Sequence, residues 1–215
     1  MTEEGSPPER NRTAPLKTLR RFVVVVALLG VSGLVAVLGF VEVAPDEQAV
    51  VLRLGRYDRT MEPGLRWHLV GVEEIEKRRV TVTLEEEFGF RTVSPGPPPV
   101  YEDRPTESRM LTGDENLVNV EFVLQYRIID LAKYLFSIED VPQILRDVGA
   151  AAVREVVAKH PIDDVLTQVK GPIEDEAREL VQEILDAHGA GVDVQNIQLQ
   201  DVEPPDPVKD AFADV

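Results

Sequence analysis

Val118-Asn-Val-Glu-Phe-Val-Leu-Gln-Tyr-Arg-Ile128 decides the fold. Val118, Val120, Phe122, Leu124, Tyr126 and Ile128 fall on one side, with Asn119, Glu121, Gln125 and Arg127 on the other. A two-residue period rich in β-branched and aromatic residues predicts a half-buried strand. Just upstream, Gly113-Asp114-Glu115-Asn116 has the composition of a turn, so a hairpin with Met110–Thr112 is expected. Downstream the period becomes helical. Val141, Leu145, Val148, Ala152 and Val156 recur at helical steps, with Ser137 and Asp140 as capping candidates and a stop before Pro161. A short turn over Ile162–Leu166 leads to a second helix with Pro172 near its start. Ile173, Ala177, Leu180, Ile184 and His188 should line its inner face, and Gly189 should close it. Val192 and Val194 share one phase while Ile197 and Leu199 share the other, which predicts a last strand bulged near Gln195-Asn196. Strand, helices and strand make residues 109–205 an α/β subdomain, ended by Pro204-Pro205. Asp206-Pro207 then opens residues 206–215 as the start of a further helix, which implies a longer native chain.

Towards the N-terminus, residues 88–108 hold Pro95, Pro97, Pro98, Pro99 and Pro105, and such a density of missing donors predicts a long loop. Residues 42–87 read as a small antiparallel β subdomain. Val50, Leu52 and Leu54 alternate with Val51 and Arg53, Pro63-Gly64 turns the chain, Leu65–Leu69 returns, and a third strand alternates Val80, Val82 and Leu84. Leu65, Trp67, Leu69 and Val70 cluster in this hairpin. They are either the subdomain's core or a loop, Pro63, Gly64, Leu65, Trp67 and Leu69, that dips into a bilayer interface, where a Trp beside apolar residues is favoured.

A bilayer is implied by Phe22–Val41, an uncharged run of 20 residues. As a helix it spans about 30 Å, the thickness of a hydrocarbon core. A buried core helix would show a polar face, and this run has none. A signal peptide needs a shorter apolar run and a small-x-small cleavage site, whereas Glu42 stands two residues before Ala44. A single transmembrane helix over 22–41 is therefore expected. Residues 1–21, polar and proline-containing with Arg10, Arg12, Lys17, Arg20 and Arg21, form a disordered cytoplasmic tail, because the positive-inside rule keeps them inside and exports residues 42–215. The exported part carries 18 basic against 36 acidic residues, a balance that repels nucleic acid and anionic lipid headgroups. The charge is uneven: residues 42–81 hold seven basic and eight acidic groups, so the piece next to the membrane is nearly neutral. With no cysteine there is no disulfide framework.

Several runs together carry a family resemblance: Glu62-Pro-Gly-Leu-Arg-Trp67, Glu87-Phe-Gly-Phe-Arg91, Met110-Leu-Thr-Gly-Asp-Glu-Asn116, Gln125-Tyr-Arg-Ile128, Asp201-Val-Glu-Pro-Pro205 and Val208-Lys-Asp-Ala-Phe212. The chain resembles the SPFH, Band 7 or stomatin–prohibitin family over roughly residues 20–215. The Leu-Thr-Gly-Asp-Glu-Asn run makes it similar to HflK-like rather than stomatin-like members. That resemblance implies an α+β SPFH domain on the outer face of a bacterial inner membrane. It also implies a non-enzymatic scaffold: a hetero-oligomeric cage with HflC-like subunits that modulates an FtsH-like membrane AAA protease. A rival reading is a stomatin-like organiser of lipid microdomains without a protease partner.

The residues themselves offer little chemistry. His68, His160 and His188 are dispersed, and the last two end helices, where the dipole favours them. No His-Glu-x-x-His or Cys-x-x-Cys exists to hold zinc, and no Gly-rich phosphate loop is present. Gly30-Val-Ser-Gly33 lies inside the apolar run without a base, and Ser32 with Ala36 suits a helix contact better. Glu85–Glu87 and Asp114-Glu115 lack the glycine-centred loop of a calcium site. No cofactor, no metal and no catalytic residue is expected.

Overall fold

The structure is a computed structural model that describes residues 14–166 and 170–204. In order these form α1 (Ala14–Leu38), β1 (Phe40–Val43), β2 (Glu47–Arg53), β3 (Arg56–Met61), β4 (Gly64–Trp67) and β5 (Glu73–Arg79). Then come β6 (Leu84–Phe88), β7 (Phe90–Ser94), β8 (Val100–Asp103), α2 (Pro105–Ser108), β9 (Arg109–Leu111) and β10 (Leu117–Ile128). The rest is α3 (Leu131–Phe136), α4 (Val141–Val157), α5 (Ile162–Leu166), α6 (Lys170–Ala187) and β11 (Val192–Glu203).

The deciding strand is β10, the centre of an antiparallel sheet in the order β11-β10-β6, with β9 paired to its first residues. All six residues of its predicted apolar face are buried; α4 and α6 close over the first five in one core, and Ile128 packs with Val50 and Leu131. Phe88 of β6 stacks on Phe122 with ring centroids 4.2 Å apart. Above that stack α4 carries Gly149, where a Cβ would stand 3.0 Å from the Phe88 ring and 3.2 Å from Leu124, so the glycine lets the helix settle onto the sheet. The bulge of β11 falls at Gln195, between the pairs Val194–Tyr126 and Asn196–Gln125. Gly189, at φ +66°, ends α6 with the paired bonds of a Schellman turn, Gly189 N–H to Asp186 O and Ala190 N–H to Leu185 O.

Several expectations change. On α6 the buried stripe is Ile173, Ala177, Val181 and Leu185, so Ile184 lies at the margin and His188 is exposed. The predicted face is rotated because both stripes are apolar and only the sheet chooses between them. Ser137 closes α3, a helix the periodicity does not show, while Asp140 caps α4 by accepting the Gln143 N–H at 3.1 Å. The proline-rich segment is no simple loop. β7 and β8 pair as a hairpin with Pro95–Pro99 at its tip, where missing donors cost nothing.

In the first subdomain β3-β2-β5 form an antiparallel sheet. Its third strand is Glu73–Arg79 and not the Val80–Leu84 run. β5 is a charged edge strand with Ile75 as its only aliphatic residue, so hydrophobic alternation could not find it. Leu84–Phe88 instead joins β10, which moves the subdomain boundary forward. Ala49, Val50 and Val51 are all buried because β2 packs on both faces, one against Val43 and Met61, the other against Ile128 and Leu131. At the N-terminus α1 begins at Ala14 and ends at Leu38, and Phe40–Val41, expected at the end of the span, start β1. Among the described residues no helix is long and apolar enough to cross a membrane. The expected helix after Asp206 lies outside the described residues.

Candidate membrane-facing site

β4 returns beside β1, not beside β2, with Phe40 opposite Trp67 and Glu42 opposite Leu65. Gly39, between α1 and β1, is the hinge of this ribbon. A Cβ there would lie 2.5 Å from Trp67 Nε1, so only glycine lets the indole lie on the backbone at the end of the helix. The His68 N–H donates to the Gly39 carbonyl at 2.8 Å, and His68 Nδ1 lies 2.9 Å from the same oxygen. The ribbon's large apolar side chains face outward: Leu65 is 69% exposed and Trp67 43%, with Phe40, Leu69 and Val70 also exposed. Pro63 and Gly64 form the exposed turn behind them, Gly64 at φ +114°. These residues are therefore not the subdomain's core. That core is Val43, Ala49, Val51 and Met61.

Charge sits inside instead. The Glu73 side chain is 2% exposed. Its carboxylate accepts from Arg53 at 2.7 Å, from Arg59 at 3.1 Å and from the Leu69 N–H at 2.9 Å. The Arg59 hydrogen bonds, then Leu69 and Arg53, hold the carboxyl down to about 2. Arg59 also donates to the Trp67 carbonyl at 3.3 Å and pairs with Asp58 at 2.6 Å. One buried carboxylate thus fixes the loop that carries Trp67 and Leu69. Sequence reading missed Glu73, Arg53 and Arg59, because an ion pair between strands leaves no periodic signal.

The motif residues of the outer subdomain do different work. Glu87 accepts from the Thr92 N–H at 2.7 Å, and Arg91 Nη2 donates to both oxygens of Glu107 at 2.9 and 3.0 Å, which turns β6 into β7 around Gly89, at φ +85°. Thr112 Oγ1 donates to Asp114 at 2.6 Å, and Asp114 accepts the Ile162 N–H at 3.0 Å. The Gly113 N–H donates to His160 O at 2.8 Å, so the Leu-Thr-Gly-Asp-Glu-Asn run locks the β9–β10 turn onto the corner between α4 and α5. Asp114 caps the start of α5.

A family model described as SPFH domain / Band 7 family matches residues 41–215. The chain belongs to the SPFH/Band 7 family. Among curated relatives it is 39% identical to "Protein HflK" of Treponema pallidum, over 80% of this chain and 54% of that one. It is 30% identical to "Protein HflK" of Borreliella burgdorferi, over 93% of this chain and 64% of the relative. Another relative is "Modulator of FtsH protease HflK" of Escherichia coli, 30% identical over 89% of this chain and 42% of its own length. The chain spans about half the length of the curated relatives it matches.

Within this SPFH domain the three histidines stay apart. His68 serves the Gly39 hinge, His160 lies 3.4 Å from Glu176, and His188 lies 2.7 Å from Ile184 O. Among the described residues no group of three His, Cys, Asp or Glu is placed to hold a metal ion. Glu85 accepts from Gln125 at 2.7 Å and Glu86 pairs with Arg146, so the Glu85–Glu87 run of the SPFH domain is spent on cross-strand and helix–sheet contacts.

Proposed function

We propose that this chain is a non-enzymatic, HflK-like scaffold subunit of a bacterial inner membrane. One span in the apolar run Phe22–Val41 anchors it, with the N-terminus in the cytoplasm and the SPFH domain outside. It assembles with HflC-like subunits into a hetero-oligomeric cage that modulates an FtsH-like AAA protease. The observation that carries the protease half is the resemblance over 89% of the chain to a relative named for modulating FtsH. The membrane half is supported by the outward apolar ribbon at the end of an apolar helix. Bilayer contact through Pro63, Gly64, Leu65, Trp67 and Leu69 belongs to the same reading.

Charge argues for alternation with a different subunit. Residues 82–215 hold 11 basic against 28 acidic groups, so identical domains side by side repel one another. At low salt this subunit alone forms no stable ring; a homomeric ring there contradicts the alternation. The main test is purification of the tagged full chain in mild detergent from its own membranes. An SPFH neighbour and a membrane AAA protease should accompany it, and a monomer with neither overturns the proposal. The exposed ribbon also favours a second reading, an organiser of lipid microdomains. That reading gains if the chain co-purifies with lipid and with no protease.

A further inference from the structure

We propose that the turn at Leu54-Gly55 is a second bilayer contact, standing beside the Trp67 loop on one membrane-facing foot. This rests on the reading of the Trp67 loop as membrane-facing. Both central residues of the turn are left-handed, φ +52° at Leu54 and +77° at Gly55, and Arg53 pairs with Arg56 across it. This is a type I′ hairpin turn, whose first central position favours Asn, Asp or Gly, because elsewhere a Cβ crowds the carbonyl oxygen. Leucine there is strained. Its side chain is also 81% exposed, the most exposed large apolar residue among those described. Neither packing nor turn chemistry accounts for a leucine in that conformation. A strained residue that the fold does not use points to something outside the fold.

The turn's place says what that is. The Leu54 N–H donates to the Val72 carbonyl at 3.1 Å. Arg53, its neighbour, binds Glu73, and Glu73 holds the Leu69 N–H. Arg59 bridges from Glu73 to the Trp67 carbonyl. The two loops are therefore one braced unit, and through Gly39 and His68 that unit abuts the end of α1. Leu54, Leu69, Val70 and Trp67 are exposed together at this end. Exposed apolar side chains on two neighbouring loops at the end of an apolar helix suit insertion between lipid headgroups. Arg53 and Arg59 are neutralised by Glu73 and Asp58. Among the described residues Arg56 makes no ion pair, and it stands beside Leu54 where a headgroup phosphate would lie.

The chain has no cysteine and one tryptophan, so both loops can be read separately in the full chain. A Leu54→Cys variant carrying an environment-sensitive fluorophore is reconstituted in phosphatidylcholine–phosphatidylglycerol vesicles. An Arg79→Cys variant, labelled at the opposite end of the sheet, is the reference. Quenchers carried on the lipids should quench the Leu54 probe and the native Trp67 emission and spare the Arg79 probe. If Trp67 is quenched while the Leu54 probe behaves like the Arg79 probe, this inference fails and the Trp67 reading stands. Quenching of neither loop, or of Leu54 alone, overturns the Trp67 reading beneath it. A second variant, Leu54→Asn, gives the turn its preferred residue and should raise Tm in detergent. A lowered Tm together with an unquenched Leu54 probe would mean that Leu54 packs in the fold, and would overturn the inference.

Discussion

Around β10, Phe122 and Leu124 have no solvent exposure and, among the described residues there, no carboxylate is fully buried. In the foot beneath, Glu73 is the enclosed group, while Leu54, Leu65 and Trp67 face outward. The outer subdomain is arranged for water, since apolar area leaves water and charge stays in it. The foot has a small apolar core of its own, yet spends arginines and a carboxylate on bracing loops that display apolar residues. Such display is favourable where the surrounding medium is itself apolar or interfacial. On the proposed reading, one chain of −16 net charge holds two surfaces fitted to two media.

If the comparison holds, substitutions should separate the two regions. The largest effect belongs to the outer core: Phe122→Ala should cost about 3–5 kcal/mol in denaturant unfolding followed by circular dichroism. An equal loss of the Trp67 signal at the same denaturant concentration would show the regions to be one cooperative unit. Next is Glu73→Gln, which weakens the bonds to both arginines and should cost about 1.5–3 kcal/mol. That loss should appear first in Trp67 emission and leave the β10 subdomain folded. The same group sets a pH dependence. Its carboxyl lies near 2 in the fold against an ordinary 4.5, so its contribution is complete above about pH 4.5 and is lost as pH falls towards 2. Trp67 emission followed through an acid titration checks this, and a transition near neutral pH would contradict it. Smallest are two changes of opposite sign: Asp140→Ala removes a helix cap and should cost about 1 kcal/mol, whereas Leu54→Asn relieves left-handed strain and should gain about 1 kcal/mol. Thermal unfolding in detergent reads both.

The outer subdomain was legible because its strands and helices are amphipathic. β10, the β9 hairpin, α4 and the Gln195 bulge each leave a period or a break in period. The foot was legible in composition but not in pairing. Leu65, Trp67 and Leu69 stood out, yet β1 was hidden at the end of the apolar run and β5 behind its charges. Helix α3, six residues long, is too short to show a period. The Glu73 cluster was invisible for another reason: Arg53, Arg59 and Glu73 meet only across strands, and nothing local distinguishes them from solvated charges. The Leu-Thr-Gly-Asp-Glu-Asn run stands out as a motif, but its work as a lock on the α4–α5 corner rests on the long-range bond from Ile162 N–H to Asp114.

The central claim is that the foot faces lipid. It is tested most directly by the fluorescence of Trp67, the single tryptophan, in the full chain reconstituted in vesicles. Quenching by nitroxides on the lipid chains near the headgroups, with protection from an aqueous quencher, is the predicted result. Full access to the aqueous quencher and no response to the lipid-borne one would contradict it.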